Sequence, residues 1–366
     1  LSLLLIFGIA PALSLFSLVA FYLSLTIAGQ TFLSFQWDIL LIETGFLSIF
    51  LAPWRLWPKR GTDPPVSRAA IFLLKLLLFK LMVMSGMVKL SSGDDSWWDL
   101  TALDYHYWSQ PLPTVIGWWA DQSPEWFKKF SVAFCLVVEI VVPFFIWTPR
   151  RLRLLACGLL IFLQLTIAAA GNYCFFNLLA VALCLLLVDD VVWRQKNAAV
   201  IRLREATAEQ ADRRDKYSDR LSTYVAVVVI VLTLPLNARL IYSAFKPEAE
   251  WSRLLGSVYA RAESFRIVNG YGLFRVMTKD RREIVIEGSA DGIDWQPYEF
   301  KWKPGDVMRA ALFERNPFPQ SPPRYVRATV YRYRFTTAEE HQATGASWKR
   351  QELGEYLPGV SLEDVR

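Results

Sequence analysis

The stretch RAAIFLLKLLLFKLMVMSGMVKL, Arg68 to Leu90, decides the fold class. Apart from Arg68, Lys75, Lys80 and Lys89 it is apolar or small throughout. A bilayer core about 30 Å thick is crossed by roughly 20 such residues in a helix, which satisfies its own backbone donors and acceptors. The pattern therefore predicts a membrane-spanning helix. Comparable runs lie on both sides, at Pro11 to Ala28, Ser34 to Pro53, Trp126 to Trp147, Leu152 to Ala170, Gly171 to Val188 and Leu221 to Ile241. A truncated helix precedes Pro11, and breaks at Gly8/Pro11 and Gly171/Asn172 separate neighbouring helices. The bulk composition agrees: of 366 residues 54% are hydrophobic, 15 are Trp, and the mean hydropathy is +0.26.

The formal net charge is +6, yet the cations gather between apolar runs, where they set orientation rather than attract nucleic acid. Nucleic acid is thereby excluded as a partner. Arg55, Lys59 and Arg60 form one basic loop, Arg150, Arg151 and Arg153 a second, and residues 189–220 a third, with Arg194, Lys196, Arg202, Arg204, Arg213, Arg214, Lys216 and Arg220. All three fall on the cytoplasmic side by the positive-inside rule, so 189–220 is a cytoplasmic linker. The Ser91 to Glu125 segment carries Asp94, Asp95, Asp99, Asp104, Asp121 and Glu125 without Lys or Arg, so it belongs on the opposite face. This makes 1–241 a transmembrane helical domain with an outer cap over 91–126. Residue 1 is a leucine already inside a helical pattern, and the domain is expected to lack its true N-terminus.

From about Tyr242 the chain turns polar and loses its apolar runs. Residues 242–366 read as a soluble β-rich domain on the non-cytoplasmic face. REIVIEGS (Arg282 to Ser289), WQPYEFKW and RYVRATVYRYRF (Arg324 to Phe335) carry the strand signals. In the last, Val326, Ala328 and Val330 alternate with Tyr325, Arg327 and Thr329, the period of a half-buried strand. A sandwich-like β-domain is expected.

Asp38, Glu43, Lys75, Lys80 and Glu139 are ionisable residues placed inside apolar runs. Each costs at least about 2.5 kcal/mol at the centre of a bilayer, so each is expected to face the bundle interior and find a partner. A spacing of five residues turns a helix by about 140°, so neither Asp38 with Glu43 nor Lys75 with Lys80 shares one face. Separate ion pairs are expected, and Lys80 is expected to meet a carboxylate. Lys89, at the outer end of its run, is expected to snorkel to water; a buried base is the alternative.

The four cysteines, Cys135, Cys157, Cys174 and Cys184, sit in apolar runs and read as packing residues. His106, flanked by Tyr105 and Tyr107, has no second ligand at a recognisable spacing, so neither a metal site nor a cofactor is expected. There is also no phosphate loop and no nucleophile elbow. In WWDLTALDYHYWSQPLP, Trp97 to Pro113, the rings suit an interfacial belt, but their interleaving with Asp99, Thr101, Asp104, His106, Ser109 and Gln110 suits a binding surface. The expected client contacts are Trp97, Trp98, Asp104, Tyr105, His106, Tyr107, Trp108 and Gln110 in the cap, with Tyr325, Arg327, Tyr331 and Tyr333 on the last strand.

KLSSGDDSWWDLTALDYHYWSQPLP, FLSFQWDILLIETGFL (Phe32 to Leu47) and NPFPQSPPRYVRATVYRYRFT (Asn316 to Thr336) together resemble the lipase maturation factor family. The resemblance implies a polytopic membrane protein, in animal cells of the endoplasmic reticulum, that helps homodimeric lipases reach an active folded state. Gly86 to Leu90 is also similar to the segment bearing the catalytic lysine of vitamin K-dependent carboxylases, at the position of Lys89. Between Ala310 and Ala311 a longer Trp- and Pro-containing stretch is expected from the family pattern, as if the numbering closed over a missing segment.

The reading is thus an α-helical polytopic membrane bundle with a C-terminal, non-cytoplasmic, sandwich-like β-domain. It serves as a non-covalent maturation factor for a secreted client, a lipase, and contacts membrane lipids. Its membrane is the endoplasmic reticulum in a eukaryote and the inner membrane in a bacterium. The alternative is a carboxylase-like membrane enzyme acting on a lipid or peptide through Lys89 and His106.

Overall fold

The computed structural model describes residues 1–57, 66–189, 213–298, 317–318 and 321–361, with no side chains for 213–223. Most of the expected linker and the Ala310/Ala311 junction lie outside these residues. The chain divides into two compact units: Leu1–Asp94, Phe134–Leu165 and Tyr173–Arg275 form the first, and Asp95–Ala133, Thr166–Asn172 and Val276–Arg366 the second. The expected boundary at 241/242 is not where the units part. Residues 95–133 and 166–172 belong with the C-terminal sheet, and 173–275 with the bundle.

The first unit is helical: α1 (Ser2–Ile6), α2 (Pro11–Gly29), α3 (Gln36–Ser48) and α4 (Arg68–Leu90) open it. α5 (Asp95–Trp98), α6 (Leu103–Ser109) and α7 (Val115–Asp121) form the cap, followed by α8 (Glu125–Ile140), α9 (Arg150–Ala170), α10 (Phe176–Leu185), α11 (Arg213–Phe245) and α12 (Arg253–Ser264). Among the described residues five stretches are long and apolar enough to cross a membrane: Pro11–Leu33, Arg68–Leu90, Glu125–Trp147, Arg150–Ala170 and Tyr224–Phe245. Two of the seven expected spans are shorter helices. α3 has 13 residues and α10 has 10, about 20 Å and 15 Å at 1.5 Å per residue. α3 ends at Ser48, and turns in which the Leu51 and Ala52 N–H groups donate to the Ser48 carbonyl carry the chain on to Pro53. Before α10 the chain turns through Cys174 at φ 55°.

α4 is the centre of the bundle, with Leu73, Leu74, Leu77, Leu78, Leu81 and Met82 all buried. Ser67 caps it by accepting from the Ala70 backbone N–H at 3.4 Å. Gly86 allows α8 to approach, since a Cβ there would lie 2.5 Å from Ile140 Cγ1.

The second unit contains an antiparallel sheet in the order β2-β1-β3-β4, with β1 Arg281–Ser289, β2 Gln296–Pro297, β3 Tyr325–Phe335 and β4 Trp348–Ser361. Ile284 pairs with Val330 and Arg281 with Tyr333. Between β3 and β4 lies α13 (Ala338–Thr344), opened by a Thr337/Glu340 capping box and closed by Gly345 at φ 71°. One sheet is present among the described residues, not two facing sheets. The layer against its apolar end is helical: Tyr107 and Trp108 of α6 and Trp118 of α7 form one buried cluster with Tyr333, Phe335 and Trp348.

Candidate functional site

The cap and the sheet build the candidate site together, because their aromatic residues share the core of one unit. Tyr333 and Phe335, two residues apart on β3, point to the same face. Phe335 packs on Trp348 with ring centroids 4.5 Å apart, and Trp118 lies 4.7 Å from His341. Arg281, only 7% exposed, fastens the cap to β1. Its Nη1 donates to the carbonyls of Trp108 at 3.0 Å and Gln110 at 2.5 Å, and its Nη2 to that of Pro111 at 3.3 Å. A planar guanidinium can serve several carbonyls at once in this way. Glu283 balances its charge at 3.0 Å, and the Trp348 ring lies 5.1 Å from its centre.

Further polar ties hold the cap to the end of α9. Gln110 Nε2 donates to Ala170 O at 2.8 Å, and Thr114 Oγ1 to Ala169 O at 2.7 Å. The Thr114 hydroxyl also caps α7 by accepting from the Gly117 N–H at 3.0 Å. Gly117 is required there, because a Cβ would lie 2.6 Å from the Ala170 carbonyl oxygen.

This packing sorts the expected contact residues. Trp97, Tyr107, Trp108, Gln110 and Tyr333 lie inside the unit, where their rings and amide complete the core and its hydrogen bonds. Asp104, Tyr105, His106, Tyr325, Arg327 and Tyr331 are half-buried. Trp98 is 65% exposed. The outer face of α7, where Val115, Ile116 and Trp119 are all exposed, lies in the expected aromatic cap but not among the expected contacts; its signal is the i, i+1, i+4 spacing away from the inward Trp118. On the sheet, Arg327 is paired with Glu287 at 2.7 Å and lies over Trp295 at 4.4 Å, and Arg350 lies over Tyr331 at 4.9 Å. Asp104 is paired with Lys128 at 2.7 Å.

The buried charges of the first unit each find a partner. Lys80 Nζ donates to Glu43 Oε1 at 2.6 Å and to Asn237 Oδ1 at 2.7 Å. Glu43 Oε2 accepts from Asn269 at 2.9 Å and from the Tyr271 hydroxyl at 2.8 Å. Asp38, fully buried, accepts from the Tyr22 hydroxyl at 2.6 Å. Lys75 is half-buried, outside these pairs. Lys89 does not snorkel: it is 5% exposed and donates to both carboxylate oxygens of Glu139, at 2.6 Å to Oε1. The close contact lets both groups stay inside, because their mutual attraction offsets much of the cost of taking two charges out of water. Lys89 is therefore a neutralised ammonium in the packing rather than a snorkelling charge. Among the described residues no cluster suited to a metal ion is present.

A helical membrane bundle joined to a unit of aromatic cap and antiparallel sheet defines a class of integral membrane protein. The family profile described as the lipase maturation factor transmembrane domain matches residues 1–195, and that of the lipase maturation factor C-terminal domain matches 267–313 and 310–358. Lipase maturation factor 1 of Mus musculus is 30% identical across 100% of this chain and 73% of its own length. Lipase maturation factor 2 of Gallus gallus is 31% identical across 94% of this chain and 67% of its own, and lipase maturation factor 1 of Homo sapiens 29% identical across 100% and 73%. The chain belongs to the lipase maturation factor family. No solved structure matches it significantly.

Proposed function

We propose that this protein is a maturation factor for a secreted lipase, acting by non-covalent binding at the surface of its cap and sheet unit. The observation that carries the reading is similarity, over 94% or more of this chain, to proteins named as lipase maturation factors. The sheet unit lies on the non-cytoplasmic side: the lumen of the endoplasmic reticulum in a eukaryotic cell, the periplasm in a bacterial one. The acidic cap without Lys or Arg between 91 and 125 supports that orientation, as does a secreted client that folds there. The client surface includes Trp98, Ile116 and Trp119, exposed apolar residues of the cap, and the Arg327 and Tyr331 side of the sheet in the same unit. Rigid exposed aromatics of this kind anchor protein contacts at low entropic cost.

The enzyme reading finds no support in the geometry. Lys89 is engaged by Glu139, whereas that reading needs it as a free base.

The test is photocrosslinking from Trp119 and Trp98, replaced one at a time by a photoreactive residue, during co-expression with a homodimeric lipase. The expected result is a crosslinked lipase chain from both positions and little from Arg151, in the basic loop expected on the cytoplasmic side. Lipase that reaches full activity without the protein, or crosslinks to lipid alone, would overturn the proposal.

A further inference from the structure

α12 is amphipathic and its apolar face is half open. At about 100° per residue, Leu254, Val258 and the C-capping Phe265 fall within about 40° of one another, Ala262, Leu255 and Tyr259 continue the same side, and Trp251 ahead of the helix stacks on Tyr259. The second group is half-buried against the protein's own chain, whereas Leu254 is 75%, Val258 39% and Phe265 60% exposed. Arg253, Ser257, Ala260, Glu263 and Ser264 take the other side, and Arg261 borders the stripe about 20° from Leu254.

The position of α12 points to what covers this stripe. α11 ends at Phe245, and its apolar span runs Tyr224–Phe245. Arg239, within that span, donates from Nη1 to Ser243 Oγ at 2.5 Å and from Nη2 to the carbonyl of Ala249, drawing the chain back after it leaves the helix. Trp251 lies 5.0 Å from the same guanidinium and stacks on Tyr259 of α12 at 4.7 Å. Arg239 is six residues before Phe245, about 9 Å along the axis. α12 therefore folds back to the level of the last turns of a membrane-crossing helix instead of extending into water. Arginine with tryptophan and tyrosine is the combination that settles at the headgroup layer.

We propose that α12 is an interfacial helix, lying in the plane of the membrane with Leu254, Val258 and Phe265 in the headgroup and acyl boundary and Arg253 and Arg261 toward the lipid phosphates. The helix anchors the segment that follows it, in which Asn269 and Tyr271 hydrogen-bond to Glu43.

The test uses the full chain in phosphatidylcholine nanodiscs. A ketone-bearing residue is introduced singly at Leu254, Val258, Phe265, Ser257 or Ser264 and coupled to a nitroxide, which leaves the native cysteines alone. Collision with oxygen reports lipid, and collision with an aqueous nickel chelate reports water. The expected result is an oxygen-to-nickel ratio several-fold higher at 254, 258 and 265 than at 257 and 264. A label at Val231, 65% exposed within the α11 span, must be oxygen-accessible in every preparation and certifies an embedded protein. Equal nickel access on both faces would overturn the proposal by putting the stripe in water. Loss of both reagents at 254 and 258 would overturn it by showing a protein cover, whether a second copy or a client. None of these readings depends on lipase maturation.

Discussion

Lys80 Nζ stands 2.6 Å from Glu43 Oε1 with the lysine wholly withdrawn from solvent. The pair gathers elements far apart in sequence: Glu43 on α3, Lys80 on α4, Asn237 on α11, and Asn269 and Tyr271 after α12. Each strong polar group is satisfied, so the cost of removing one partner is that of stranding the rest.

Lys80→Met is expected to destabilise the protein by roughly 3–5 kcal/mol, since it leaves the Glu43 charge buried without a cation. Lys80→Met with Glu43→Gln removes both charges and is expected to recover much of the loss. Thermal unfolding in detergent of both single variants and the double one measures the coupling. Additive losses in the double variant would show that the two residues act separately.

The spans and the strands were legible because they are periodic and local. Arg68–Leu90 shows as α4 with the bounds its hydropathy implies, and the alternation of RYVRATVYRYRF shows as β3. What could not be read is what depends on a distant partner. Lys89 looks like a snorkelling lysine from its neighbours alone, and only the fold brings Glu139, 50 residues away, against it. The tyrosines of β3 look like a contact face, yet Tyr333 turns inward because the cap supplies aromatic rings for it. The length of α3 was overestimated for a related reason. Asp38 and Glu43 within it are held by Tyr22, Lys80, Asn269 and Tyr271, so polar partners stabilise a segment whose hydropathy suggested a full crossing.

Gly117→Ala is expected to displace α7 from the end of α9. The added methyl group would meet the Ala170 carbonyl oxygen at 2.6 Å, and a backbone atom cannot rotate away. Overpacking of this kind costs about 1–3 kcal/mol. The check is a lower unfolding temperature together with faster proteolysis of the cap.

Arg281→Lys keeps the charge beside Glu283 but cannot fork to the carbonyls of Trp108, Gln110 and Pro111. Loss of hydrogen bonds to a charged donor costs roughly 1.5–3 kcal/mol. Limited proteolysis should cut near Pro111 sooner than in the parent protein, while Arg282→Lys, whose side chain is 66% exposed, leaves the pattern unchanged.

Burial pushes the Asp121 carboxyl up from 3.8 to about 6, with Lys128 opposing the shift and Asp104 adding to it. The folded value exceeds the unfolded one, so the folded state holds its proton after the unfolded chain has lost it. This contribution to stability is full at or below 3.8, declines as the pH rises to about 6, and is level above that. Asp121→Asn removes the penalty, and is expected to raise the unfolding temperature near neutral pH and to leave it unchanged at the acid end of the window. An equal gain at both ends would show that the effect is not ionisation.

Trp118 and Trp119 are adjacent, with rings 4.8 Å apart at 83°, but the first is 3% exposed and the second 62%. The two positions therefore separate stability from recognition. Trp118→Ala removes a ring from the core between cap and sheet, and large aromatic truncations in such sites cost roughly 3–5 kcal/mol. Trp119→Ala touches only the outer face and should stay within about 0.5 kcal/mol of the parent. If the outer face of α7 anchors the client, Trp119→Ala weakens capture by an amount typical of a hot spot, about 2 kcal/mol or roughly 30-fold, in a protein that unfolds at its normal temperature. Pull-down of the lipase against each variant, with unfolding measured in the same preparations, distinguishes the two roles. Undiminished capture by Trp119→Ala and by Trp98→Ala would remove the cap from the client surface and leave the Arg327 side of the sheet to carry it.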